Sequence, residues 1–138
     1  MKTVLVGGCF DLLHFGHISF LQKAKNLGDL LIVALESDEN VKRMKGTSRP
    51  IHTQEQRKRM LEALSCVDKI ISLPTMNSDV EYASLVLKVH PNIIAITEGD
   101  VMTDKKRNHA NSINASLVII PKIHTPSTSQ LAKLLDLE

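Results

Sequence analysis

The chain has 138 residues, 43% hydrophobic and 3% aromatic, with a formal net charge of +2. That length buries one sizeable core and reads as a single domain spanning residues 1–138. The near-balanced charge, with no Trp, one Tyr and three Phe, offers neither the basic stripe nor the stacking platforms of a nucleic-acid binder.

No 18 apolar residues run together, so no membrane span is expected, and the first residues lack the pattern of a signal peptide. The two cysteines, Cys9 and Cys66, are too few for a disulfide framework, and a reduced cytoplasmic setting is the simplest reading.

Taken in chain order, Thr3–Val6 reads as a buried strand leading into a glycine turn, Gly7-Gly8. Ile18, Leu21, Ala24 and Leu27 then recur at helical spacing, with Gly28 placed where a helix ends on a residue tolerating positive φ. A second strand is expected over Leu30–Leu35. The polar, basic stretch from Ser37 to Pro50 reads as a short helix and a loop. Thr53 and Gln56 form a capping box for a helix through about Leu64, and Ser78 and Glu81 a second box for a helix ending near Val89, before Pro91. Further strands are expected at Lys69–Leu73, Asn92–Ile96 and Ser116–Ile120. The polar Met102–Asn114 is taken as a helix, and Ser127 and Gln130 cap a last one, Ser129–Leu137. This alternation specifies an α/β chain with a doubly wound, Rossmann-like, five-stranded parallel sheet.

The chemistry concentrates in Gly7-Gly8-Cys9-Phe10-Asp11-Leu12-Leu13-His14-Phe15-Gly16-His17. A strand, a turn and a helix start form a site for an anion, because unpaired N–H groups and the helix dipole point outward together. His14 and His17 could ligate a metal such as zinc, could be ordinary structural residues, or could hydrogen-bond phosphate oxygens. A metal needs further ligands, and the other histidines show no ligand spacing to this pair. The glycines around them favour phosphate, with Gly16 allowing close backbone approach. An imidazole near neutral pH can become charged when phosphate is present.

Gly8-Cys9-Phe10-Asp11-x-x-His14-x-Gly16-His17 resembles the H-x-G-H signature of the nucleotidyltransferase superfamily, in its cytidylyltransferase-like branch. Ser37-Asp38-x-x-Val41-Lys42-Arg43-x-Lys45-Gly46-x-x-Arg49-Pro50, then Gln56-Arg57 and Leu64-x-x-Val67-Asp68, resembles the adenylyltransferase domain of bacterial heptose-phosphate enzymes. Archaeal FMN adenylyltransferases share a similar pattern, and glycerol-3-phosphate cytidylyltransferases a looser one.

The resemblance implies triphosphate contacts from Gly8, Cys9, Phe10, Asp11 and Gly16, with Asp11 also able to orient the loop. It implies charge stabilisation by His14, His17 and Lys45, with Lys42 as a second phosphate partner. Arg57 would face the acceptor phosphate, Gly99-Asp100 the nucleotide's sugar and base, and Ser127-Thr128-Ser129 the outer phosphates. Lys122 stands near where the cytidylyltransferases carry arginine, a point charge in place of a planar fork. The resemblance further implies AMP transfer from ATP, with CTP the alternative, to a phosphorylated acceptor such as a heptose 1-phosphate. Magnesium would travel with the triphosphate, no metal-ligand residues are expected, and a homodimer is the default assembly. A nucleotide-binding module without catalysis is the alternative of another class. It should lack a charge-stabilising residue, yet both histidines and Lys45 are present.

Overall fold

Five apolar runs pair into one all-parallel sheet in a computed structural model that describes residues 1–123, 130 and 133–135. In chain order the elements are β1 (Thr3–Gly8), α1 (Phe15–Lys25), β2 (Leu30–Leu35), α2 (Asp38–Lys45), α3 (Gln54–Glu62), β3 (Lys69–Ser72), α4 (Asp79–Val89), β4 (Ile93–Thr97), α5 (Thr103–Ser112) and β5 (Ser116–Ile120). The strand order is β3-β2-β1-β4-β5. The chain winds outward from β1 to β3, then crosses back to β4 on the other side. The strand order therefore reverses between β1 and β4, and the carboxyl ends flanking that point form the crevice where ligands of open α/β sheets bind.

Side chains alternate along each strand, so the sheet feeds two cores. Val4, Val6, Leu31, Val33, Ile93 and Ala95 face a core closed by Leu21 and Ala24 of α1 and Leu61 of α3. Leu5, Ala34, Ile94 and Ile96 face the other, closed by Val86 of α4 and Ala110 of α5.

Three local expectations are revised. Gly7 and Gly8 are strand residues, in register with Ala34 and Leu35. The turn that follows is made by Phe10 (φ 47°) and Leu12 (φ 54°), both in the left-handed region without being glycine. Ser78 precedes α4 but makes no side-chain cap; Glu81 accepts from the Asn77 amide at 3.4 Å instead. Gly28 is required by contact, since a Cβ there would lie 2.7 Å from the Lys2 carbonyl oxygen and 2.9 Å from Val4 Cγ2. Because the first obstacle is backbone, Gly28→Ala is expected to destabilise the fold by about 1–3 kcal/mol, the cost of overpacking. Urea unfolding measures it, and an unchanged midpoint would refute the contact argument.

The Thr53–Gln56 capping box forms, with Gln56 N donating to Thr53 Oγ1 at 3.2 Å and Thr53 N to Gln56 Oε1 at 3.0 Å. The expected last helix and the 127–129 hydroxyls lie outside the described residues.

Candidate active site

β1 leads straight into the site. Its last residue, Gly8, has no room for a side chain, because a Cβ would lie 2.8 Å from the ring of Phe10, which folds back over it into the core. Two left-handed residues without glycine cost of order 1–3 kcal/mol each, so the loop holds its shape only because its surroundings fix it.

Asp11 is 1% exposed. Its carboxylate accepts from Arg49 Nε at 2.8 Å, Ile51 N at 2.7 Å and His52 N at 3.0 Å. Burial alone would raise the Asp11 carboxyl, but the Ile51 amide, Arg49 and the His52 amide together hold it below its ordinary value. Arg57 is fully buried and donates to the Cys9 carbonyl at 2.8 Å, the His52 carbonyl at 3.1 Å and Asp38 Oδ1 at 2.7 Å.

Asp11 turns its carboxylate onto the 49–52 segment, and the fully buried Arg57 clamps the Cys9 carbonyl. Both position the loop. Arg49, the partner that sequence reasoning did not place in the site, sits 2% exposed beside Asp11; its only signal was the Arg-Pro pair.

At the end of the loop the two histidines cap α1. Gly16 N donates to His14 Nδ1 at 3.0 Å, and His14 N donates to His17 Nδ1 at 3.2 Å. Both Nδ1 atoms are acceptors, so each neutral ring carries its proton on Nε2. The rings lie against each other with centroids 3.9 Å apart, and the edge of Phe10 meets His17 at 5.6 Å.

Burial, then His14 and then Lys45 push the His17 pKa down to about 4, and burial lowers that of His14. The free protein thus presents neutral N–H donors at pH 7, where sequence reasoning allowed for imidazolium. The first turn of α1 contains no carboxylate, whereas α2, α3, α4 and α5 each carry an acid there. Its positive end is therefore left for an outside anion.

The remaining residues fall around this centre. Lys45, the last residue of α2, is near enough that its charge lowers the proton affinity of both His17 and Cys9, so it approaches the loop from the β2 side. Burial outweighs it at Cys9, whose thiol is pushed up. Lys42 lines a cavity of about 290 Å³ with Asp38, Thr47, Ser48 and Thr53.

On the β4 side, Gly99 adopts φ 86°. The Asp100 carboxylate accepts from Lys106 Nζ at 2.7 Å and Met102 N at 2.8 Å, so it anchors the start of α5. Among the described residues, no three His, Cys, Asp or Glu side chains gather to hold a metal ion, and no helix is long and apolar enough to cross a membrane.

The histidine caps set a pH dependence. The folded value of His17 lies near 4 and its unfolded value near 6.5, so between them the unfolded chain binds the extra proton. Stability is expected to fall as pH drops through that window. Urea unfolding at stepped pH measures it, and His17→Asn should lose this component. An identical profile in wild type and variant would contradict the assignment.

Comparison with known proteins follows the same lines. A family model described as cytidylyltransferase-like matches residues 5–131. The chain is 38% identical over 130 residues to the bifunctional protein HldE of Helicobacter hepaticus, covering 94% of this chain and 26% of that protein. To the bifunctional protein HldE of Helicobacter pylori strain P12 it is 59% identical over 70 residues, 51% of this chain and 15% of the relative. The chain thus spans about a quarter or less of the length of these curated relatives.

Among solved structures, the lipopolysaccharide core biosynthesis protein of Thermoplasma volcanium GSS1 superposes with a TM-score of 0.70 at 25% identity, over 91% of this chain and 98% of that one. A pantoate-beta-alanine ligase from Francisella tularensis shares the fold, with a TM-score of 0.64 at 19% identity over 96% of this chain and 65% of that one.

Proposed function

This chain belongs to the cytidylyltransferase-like family, and from that premise we propose that it transfers AMP from ATP to a phosphorylated acceptor, a heptose-type sugar 1-phosphate, releasing pyrophosphate. The observation that carries the reading is the start of α1. Two imidazoles packed against each other, with their Nδ1 atoms committed to backbone amides, keep their Nε2–H donors outside these caps, at a helix end that has no carboxylate of its own.

In the proposed reaction an oxygen of the acceptor phosphate attacks the α-phosphorus. A new P–O bond forms, the bond to the bridging α–β oxygen breaks, and pyrophosphate leaves with that electron pair. The acceptor oxygen is already anionic near neutral pH, so no general base is required. Negative charge grows on the α-phosphoryl oxygens and the leaving pyrophosphate. Donors already aimed there stabilise it without reorganising. His14 and His17 supply neutral N–H groups and Lys45 a full charge from across the crevice. Gly99-Asp100, after β4, would serve the nucleotide's sugar side. Asp11 is engaged by Arg49 and Asp100 by Lys106, and magnesium would enter as part of the substrate, held by phosphate oxygens and water.

The sugar-phosphate acceptor is supported by the Thermoplasma relative, named for lipopolysaccharide core biosynthesis, and by the HldE relatives. Residues 1–138 would act as one nucleotidyltransferase domain, in the cytoplasm and as a homodimer. A pyrophosphate-release assay pairing ATP, CTP, GTP and UTP with heptose 1-phosphate, glycerol 3-phosphate, phosphocholine and FMN tests the reading. ATP with heptose 1-phosphate is the expected pair. Turnover of CTP with glycerol 3-phosphate, or of ATP with FMN alone, would replace the acceptor. Nucleotide binding without turnover of any pair would favour a non-catalytic module.

A further inference from the structure

The helix that delivers Lys45 has little apolar anchorage. α2 buries one apolar side chain, Val41, and is docked mostly by polar contacts. Ser37 caps it, its Oγ accepting from Asn40 N at 3.1 Å and from Thr75 Oγ1 at 3.2 Å. Asn40, 4% exposed, donates from Nδ2 to Glu36 Oε2 at 2.9 Å and to Tyr82 Oη at 3.3 Å. The Tyr82 hydroxyl in turn donates to the Glu36 carboxylate, 2.9 and 3.0 Å from its two oxygens. Arg43 Nη2 donates to Asn40 Oδ1 and, at 3.4 Å, to the Met76 carbonyl and to Asn77 Oδ1.

Glu36 is the hub. It is 7% exposed, directly follows β2, and its backbone N–H donates to the Gly8 carbonyl at 3.0 Å. Glu36 therefore joins the strand that enters the phosphate loop, through its backbone N–H, to the helix that carries Lys45 and, through its carboxylate and Tyr82, to helix α4. A buried carboxylate must have its acceptor sites met by donors, and the penalty for removing one falls on whichever element is least well held. Here that element is α2.

We propose that Tyr82, acting through Glu36 and Asn40, is a positioning residue that holds α2 so that Lys45 reaches the triphosphate. This rests on the reading of Lys45 as the phosphate-neutralising group across from the histidines. Tyr82 touches no substrate, and its role is to restrict where the Lys45 charge sits.

The test is a double-mutant cycle read by calorimetric binding of magnesium α,β-methylene-ATP, a non-reacting ATP analogue that needs no knowledge of the acceptor. Wild type, Tyr82→Phe, Lys45→Ala and the double variant are compared, with thermal unfolding of each in parallel. Tyr82→Phe is expected to weaken binding by about three- to tenfold, the scale of coupling through a contiguous network. In the Lys45→Ala background the same change should have almost no further effect, because the charge it positions is gone. A purely structural Tyr82 would lower the unfolding temperature and leave the affinity unchanged, or weaken binding by the same factor in both backgrounds; either result overturns the proposal alone. Glu36→Gln supplies a second entry into the network, opposing an amide NH₂ to that of Asn40, and should show the same loss of effect without Lys45. If wild type itself does not bind the analogue, the reading of the site fails and the proposal with it.

Discussion

Replacing His17 by asparagine is expected to lower kcat by about 10²–10³-fold, the cost of one lost donor to developing charge, while the fold and the triphosphate affinity change far less. The geometry separates the two nitrogens of this ring. Nδ1 accepts from the His14 amide at 3.2 Å and belongs to the helix cap, whereas Nε2 carries the proton and takes no part in that cap. An asparagine oxygen can replace Nδ1 but does not reach to Nε2. A glutamine amide reaches toward Nε2 and gives up the cap. His17→Gln is therefore expected to keep more of the rate and lose more stability than His17→Asn. Steady-state kinetics with parallel urea unfolding distinguish them. Equal losses in kcat and in triphosphate affinity for His17→Asn would mean that the ring binds the ground state only.

The second large effect is on stability. Asp11→Ala is expected to cost about 3–5 kcal/mol, the penalty for breaking a buried ion pair by removing one side of it. The group that loses this carboxylate is the Arg49 guanidinium, 2% exposed and 2.8 Å from Asp11 Oδ2. The Ile51 and His52 amides lose their acceptor at the same time. With the carboxyl held below its ordinary value, this stabilisation is present above the unfolded pKa, near 4, and is lost as pH falls further. It thus lies below the His17 window and can be read separately. A loss under about 1 kcal/mol, the scale of an exposed pair, would show that Arg49 finds water or another acceptor.

Much of the fold was legible because its strands are continuous runs of Val, Ile and Leu bounded by polar residues, so Leu30–Leu35 and Ser116–Ile120 match their expected limits. The reasons for individual residues were less so. Gly28 suggested a left-handed helix end, whereas its role is a close approach to Lys2 that no local pattern encodes. The loop's positive φ angles fall on Phe10 and Leu12, where propensity gives no hint, because the Asp11–Arg49 and Arg57–Cys9 bonds impose them from residues 38 and 48 positions away.

The same distance hid the roles of the charged groups. Arg57 carries the right charge for a phosphate site, and only its burial marks it as a clamp, while Asp11 is an anion tied to Arg49. The histidines were legible as a pair at a helix start, but their protonation state was not. It follows from which nitrogen meets a backbone amide, and that is set by ring orientation. The network of Glu36, Asn40 and Tyr82 joins residues up to 46 positions apart and has no signature in spacing at all.

The central claim is that His14 and His17 meet the triphosphate as neutral rings donating from Nε2. The direct measurement is ¹⁵N NMR of the imidazole nitrogens at pH 7, with and without magnesium α,β-methylene-ATP. In the free protein both Nδ1 atoms are expected to be unprotonated and both Nε2 atoms protonated, and on binding the Nε2–H signals should shift while Nδ1 stays unprotonated. Protonated Nδ1 in either ring of the free protein, or Nε2–H signals unmoved by saturating analogue, would contradict the account.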